Sequence, residues 1–294
     1  MTRPGPPGSL LNLDATRPVV DPVDAATLVL LRDGAGGLEV FCVERNRKSR
    51  FMGGALVFPG GKVDRGDHDP AWRRLLIPPG PRVWAAGQDE DTRRAIALAA
   101  CRESLEEAAI LPVTGSLAHT DALMLRGELT SGVDALRTAL TARRLAVDLA
   151  SLVPLTRWIT PAAEARRYDT HFFVMRTPEG QDGAHDEVET MSSFWATPHR
   201  VLARWEAREL QMAPPTHHTL LTLSRCATVD DALRHAETRR LDPICPVLVD
   251  QDDTIALVLP GDPDHPQAER MIEGHTRYVL RDEQWRPEDA PTSS

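Results

Sequence analysis

Apolar and polar positions recur along the chain in patterns that predict interleaved strands and helices. Residues 25–31 and 38–43 are two apolar runs separated by Asp33-Gly34-Ala35-Gly36-Gly37, the signature of a hairpin with a glycine-rich loop. Residues 55–58 predict a short strand, broken at once by Pro59-Gly60-Gly61. A short helix is expected over 71–77, closed by Pro78-Pro79-Gly80-Pro81. A longer one is expected to begin near Asp89 or Asp91, whose carboxylates suit a helix N-terminus, and to end at Pro112. Inside it Leu98, Cys101, Leu105 and Ala108 step by three, four and three, which makes one buried stripe. A helix over 133–152 follows. Strands are then expected at 158–159, 171–175, 193–196, 247–249 and 254–259, with helices over 198–205, 216–226 and 230–239. The first 22 residues, rich in Pro and Gly, read as a flexible or extended lead-in, and residues 286–294 as a loose tail. The class is α/β or α+β.

Composition narrows this picture. Of 294 residues 41% are hydrophobic and 26% charged, enough apolar material for a core and too much for a largely disordered chain. No apolar run approaches the roughly 18 residues of a membrane helix, and the N-terminus lacks the apolar segment of a signal peptide. Cys42, Cys101, Cys226 and Cys245 lie far apart, without metal or redox spacing, and read as reduced thiols of a cytoplasmic protein. A net charge of −9 argues against a general nucleic-acid binder.

The chemistry concentrates in Arg102-Glu103-Ser104-Leu105-Glu106-Glu107. On a helix, Glu103, Glu106 and Glu107 stand at i, i+3 and i+4 and share one face, opposite the apolar stripe. Like charges at this spacing oppose the helix by roughly 0.2–0.5 kcal/mol per pair. A divalent cation reverses the sign of that interaction, and hard oxygen ligands suit Mg²⁺ or Mn²⁺. Alone, such a face is more often simply solvated. Upstream, Phe58-Pro59-Gly60-Gly61-Lys62-Val63-Asp64 places a strand end against two glycines, where backbone can approach a metal or phosphate closely.

Together these segments resemble the Nudix hydrolases. Gly61 opens the family box, Asp67 stands where the family has Glu, and Arg102-Glu103, Glu106-Glu107 and Ile110 match its second half. Ser104 replaces an aliphatic residue and Ala109 a glycine, and 34 residues separate Asp67 from Arg102 where the family has seven. An acyl-CoA diphosphatase subgroup splits its box in a similar way. Trp158-Ile159-Thr160-Pro161, Arg166-Arg167-Tyr168-Asp169-Thr170-His171-Phe172-Phe173 and Leu210-Gln211-Met212-Ala213-Pro214-Pro215-Thr216 look like that subgroup too. The resemblance spans roughly residues 24–265.

The resemblance implies an α/β/α sandwich with a mixed sheet over residues 23–285, a helical insertion at about 68–92 and a C-terminal helical extension from about 200. It implies hydrolysis of a diphosphate by water with Mg²⁺ or Mn²⁺. Glu106 and Glu107 would be the main ligands with the Gly60 carbonyl nearby, Glu103 a further ligand or a positioner of water, and Arg102 the residue that orients it. Glu187 and Glu189 are candidates for the general base, and Arg50, Arg166 and Arg167 for phosphate binding. The favoured substrate is CoA or acyl-CoA. ADP-ribose, a dinucleotide or a nucleoside triphosphate are alternatives, as is a non-catalytic nucleotide-binding module. A homodimer is compatible with the resemblance, and nothing in the residues decides it. The insertion is expected to form an ordered helical lid or wall near the substrate, with Trp72 and Trp84 partly buried.

Overall fold

The computed structural model describes residues 10–46, 54–80, 89–186, 190–251 and 254–290. In chain order the strands and helices begin with the hairpin β1 (Val23–Gly34) and β2 (Gly37–Arg45), then β3 (Leu56–Val57), β4 (Gly60–Lys62) and β5 (Leu76–Ile77). Next come α1 (Glu90–Ala108), α2 (His119–Thr130), α3 (Val133–Arg143), β6 (Val147–Asp148), β7 (Val153–Ile159), β8 (Tyr168–Arg176) and β9 (Thr190–Ala196). The chain finishes with α4 (Pro198–Glu206), α5 (Pro214–Leu223), α6 (Val229–Thr238), β10 (Pro243–Ile244), β11 (Val247–Gln251), β12 (Thr254–Val258), β13 (Arg277–Arg281) and β14 (Gln284–Glu288).

The main sheet is mixed. Its path runs β10-β7-β8-β1-β2-β3, with β4 on β1 and β9 on β2. The long β1 is shared: its start pairs with β4 through Thr27 and Gly60, its end with β2, and its other edge runs parallel to β8. Alternation along these strands builds two cores. Leu28 and Leu30, Phe41 and Val43, and Phe173 and Met175 point to one face and pack under α1, α2 and α3. Val29 and Leu31, Val40 and Cys42, and Phe172 and Val174 point to the other, beneath α4, α5, α6 and the C-terminal strands. The result is the expected α/β sandwich.

Helix α1 starts where Asp89 accepts the Thr92 amide and ends at Ala109, left-handed at φ 53°. Its stripe of Leu98, Cys101, Leu105 and Ala108 is buried, as the spacing requires. The helix expected over 133–152 is shorter, because Arg144 turns left-handed at φ 55° and sends the chain into β6. Helix α2 had no counterpart in the pattern, since its buried side is only Ala122, Leu125 and Leu129.

Four expectations need correction. The described part of the lead-in is docked: Leu11 and Leu13 are buried, and Leu13 bridges to Glu164. The C-terminal extension carries an antiparallel sheet, β11-β12-β13-β14, besides its helices. Pairing within it continues to Glu288, with Trp285 buried, so order extends into the expected tail. The described part of the insertion is two short 3-10 turns, Arg65–His68 and Pro70–Arg74, followed by β5, which pairs with β6. It packs toward α3 instead of walling the substrate cleft. Trp72 is fully buried there; its Nε1–H donates to the Gly66 carbonyl at 3.0 Å and Arg137 lies 5.8 Å from its ring centre. Trp84 falls outside the described residues.

Trp72 therefore anchors the insertion to the helical core. Trp72→Ala should lower the unfolding free energy by about 3–5 kcal/mol, the usual cost of emptying a buried aromatic site. Urea denaturation reads this directly, and an unchanged midpoint would mean that the ring supports nothing.

Candidate active site

The three acids of α1 converge on one cleft of about 780 Å³. Glu107 is nearly enclosed, with 5% of its side chain exposed, while Glu106 opens half its side chain to the cleft. Glu107 accepts the Gly60 amide at 3.0 Å, and Arg45 reaches it at 3.8 Å. The two glycines serve different purposes. A Cβ on Gly60 would stand 2.5 Å from the Ala26 carbonyl oxygen, so that strand could not pair so closely with β1. A Cβ on Gly61 would stand 2.5 Å from the Glu103 carboxylate.

Arg102 ties this arrangement together. It is 5% exposed and donates to both Asp67 oxygens at 3.0 Å, to Glu103 Oε1 at 2.8 Å and to the Lys62 carbonyl at 3.0 Å. Burial opposes its charge, yet hydrogen bonds to Asp67 and the adjacent carboxylates hold its pKa above the usual guanidinium range. Asp67 also accepts the Asp64 amide at 2.9 Å. The shorter acid thus reaches the helix, because the 3-10 turn at Arg65–His68 brings its backbone close. Burial pushes the Glu103 carboxyl up to about 7, against the pull of Arg102 and with some help from Glu106.

The two other departures from the box meet at the helix end. Ser104 is buried and its hydroxyl donates to the Ile110 carbonyl at 2.9 Å, just past Ala109. An aliphatic side chain there would leave that carbonyl without this bond.

Of the remaining predicted residues, Arg166 lines the cleft. Arg167 does not: it donates to the carbonyls of Thr160 and Val20 at 3.0 and 2.8 Å, which makes it an anchor for the N-terminal segment instead of a phosphate ligand. Arg50, Glu187 and Glu189 lie outside the described residues. Among the cleft residues that sequence reasoning did not single out are Asp186, Asn46 and Leu11, none of which stands in a periodic pattern. Asp24, Asp169 and His171 also bring ligand atoms within 4.8 Å of one another. Arg157 grips Asp169 there at 2.7 and 2.5 Å and already supplies the positive charge.

Residues 84–223 match the model of the NUDT19 Nudix domain. A crystal structure of a Nudix hydrolase from Alicyclobacillus acidocaldarius superposes with a TM-score of 0.62 at 32% identity, covering 73% of this chain and 96% of that one. The chain belongs to the Nudix hydrolase family. Among curated relatives of this Nudix hydrolase, the acyl-coenzyme A diphosphatase NUDT19 of Gallus gallus is 27% identical over 82% of the chain and 79% of the relative. The Homo sapiens protein of the same name is 25% identical over 78% and 72%.

The Glu103 carboxyl gives the hydrolase a pH signature. Its folded value near 7 lies above the ordinary 4.5, so protonation favours the folded state. That contribution is complete below about 4.5 and is lost as pH rises through about 7. In chelator, the wild-type melting temperature should therefore fall between pH 6 and pH 8 relative to Glu103→Gln. Buried His217 and His218, held neutral by desolvation near 4 and 3, are common to both proteins and cancel in that difference. Parallel melting curves across this range would contradict the assignment.

Proposed function

We propose that this Nudix hydrolase cleaves the diphosphate of CoA or acyl-CoA, giving 4′-phosphopantetheine, or its S-acyl form, and adenosine 3′,5′-bisphosphate. One observation carries the reading: the three acids and the Gly60–Gly61 turn line a single cleft together with Phe58, Trp158, Phe172, Pro214 and Leu257. A diphosphate flanked by a long, mostly neutral arm suits such a cleft. The chicken and human relatives bear the name of that activity.

Nudix hydrolases generally use divalent metal ions, and the residues here fit one. Their donors are hard carboxylate oxygens, and Gly61, having no Cβ, lets the Glu103 carboxylate sit against the turn. Glu103, Glu106 and Glu107, with the Gly60 carbonyl, would hold Mg²⁺ or Mn²⁺. When bound, the ion would offset phosphate charge and lower the pKa of a water. Arg102, itself locked by Asp67, holds Glu103 in place. Arg45, Lys62 and Arg166 supply cationic groups along the cleft. Asp186, next in sequence to Glu187, lines the cleft, which supports Glu187 or Glu189 as the acceptor of the water proton. Water oxygen bonds to one phosphorus, the bridging P–O bond breaks, and the bridging oxygen leaves on the other phosphate. The thioester of an acyl-CoA is untouched. A cytoplasmic setting fits the four free thiols.

Glu107→Gln and Glu106→Gln should each lower turnover by about two orders of magnitude or more, as loss of a key electrostatic group commonly does. Both should fold, since each relieves like-charge repulsion in the absence of metal. Mass spectrometry of reactions run in ¹⁸O water should find the label in one of the two product phosphates. Unchanged turnover in both variants would sink the site assignment. Cleavage of ADP-ribose with CoA untouched would redirect the substrate while leaving the chemistry in place.

A further inference from the structure

The cleft has a direction. Its floor crosses the sheet from Gly60 and Gly61 on β4, through Thr27 on β1 and Phe172 on β8, to Trp158 on β7. Three strand steps of 4.7–4.9 Å put β7 about 14 Å from the acids. The pantetheine arm, with about twelve bonds between phosphate oxygen and sulfur, is as long as four extended residues, about 13–14 Å. With the diphosphate at the acids and the arm along this floor, the sulfur arrives at Trp158.

The N-terminal segment meets the cleft at the turn that follows β7. Leu11, 8% exposed, lines the cleft and joins the core shared with Trp158. Its segment is fixed to the turn between β7 and β8 at several places. The Asn12 amide donates to Glu164 Oε2 at 2.7 Å, Leu13 bridges to Glu164, and the Asp14 amide donates to the Ala163 carbonyl at 2.9 Å. Glu164 is 3% exposed, and its other oxygen accepts the Ala165 amide at 3.0 Å. Arg17 adds bonds to the carbonyls of Asn12 and Ala163 at 2.9 and 3.3 Å. A segment held by so many backbone bonds is a wall, not a passing contact. Pro161 and Pro246 line the cleft with Leu11 and Trp158 and give it an apolar strip, flanked by Thr160, Arg166 and Tyr168.

We propose that this end of the cleft is a subsite for the acyl group of a CoA thioester, and that Leu11, held by Glu164, sets the length of chain it accepts. The proposal rests on the CoA reading above and adds a selectivity that the reading does not require. An apolar wall favours a short acyl group over free thiol by burying its methylenes, and it excludes a chain that must pass through the Leu11 side chain. In a hydrophobic pocket one methylene too many or too few is worth about tenfold or more in kcat/KM.

The test compares kcat/KM for CoA, acetyl-, hexanoyl- and palmitoyl-CoA in wild type, Leu11→Ala and Leu11→Trp. Wild type should prefer the short thioesters to palmitoyl-CoA. Leu11→Ala should raise the palmitoyl-to-CoA ratio by about tenfold, and Leu11→Trp should lower the hexanoyl-to-CoA ratio by a similar factor. Opposite signs from one position cannot come from general loss of folding, which lowers all four substrates together. Glu164→Gln, which weakens the clip without touching the cleft, should shift the palmitoyl ratio in the same direction as Leu11→Ala. Ratios that stay constant in all three variants, with CoA still cleaved, overturn the subsite and leave the CoA reading standing. A wild type that cuts ADP-ribose and no CoA species overturns both.

Discussion

The ion pair between Arg102 and Asp67 is the constraint on which the site depends. Asp67 is wholly enclosed and Arg102 nearly so. Removing two such charges from water costs several kcal/mol each, and the cost is offset only when geometry and remaining hydrogen bonds are complete. Here they are: Arg102 serves both oxygens of Asp67, the Glu103 carboxylate and the Lys62 carbonyl, while Asp67 takes the Asp64 amide as well. The pair thus admits one register of the β4 turn against α1. That register sets the Gly60 amide on Glu107 and the bare Gly61 opposite Glu103.

The departures from the family box are absorbed by local rearrangement around the same helix. Asp67 is one methylene short, and a single 3-10 turn makes up the reach. Ala109 accepts a left-handed backbone that glycine would adopt freely, at a cost of roughly 1–2 kcal/mol. Its methyl is fully buried, which returns about 0.8 kcal/mol, so the net penalty is small. Ser104 gives up apolar contact and gains the bond to the Ile110 carbonyl, securing the turn that Ala109 strains. None of these changes removes an acid from the cleft.

The mixed sheet explains why a hydrolytic centre and an apolar channel share one cleft. Because β1 pairs with β4 at its start and with β2 at its end, the Pro-Gly-Gly turn is delivered beside α1 without interrupting the sheet. The face that does not carry α1 is roofed by α5 and the C-terminal strands through Pro214, Pro246 and Leu257. Arg167, expected at a phosphate, instead fastens the N-terminal segment by way of Val20, beside the Glu164 clip. The charge of that residue type was legible from the chain; its partner, nearly 150 residues away, was not.

What the sequence determined by itself was periodic or covalent in origin. A 3.6-residue repeat puts Glu103, Glu106 and Glu107 on one face and Leu98, Cys101 and Leu105 on the other, whatever surrounds the helix. Two-residue alternation sorts β1, β2 and β8 into two cores in the same way. Tertiary structure decided everything that depends on contacts between distant segments. Residues 71–77 became a 3-10 turn and a strand because Trp72 had a core to fill and Leu76 had Val147 to pair with. Leu11 became a wall because Glu164 was there to hold its neighbours. Local spacing does not name such partners: Leu76 and Val147 stand 71 residues apart and Asn12 and Glu164 stand 152 apart, and their energy appears only once those loops close.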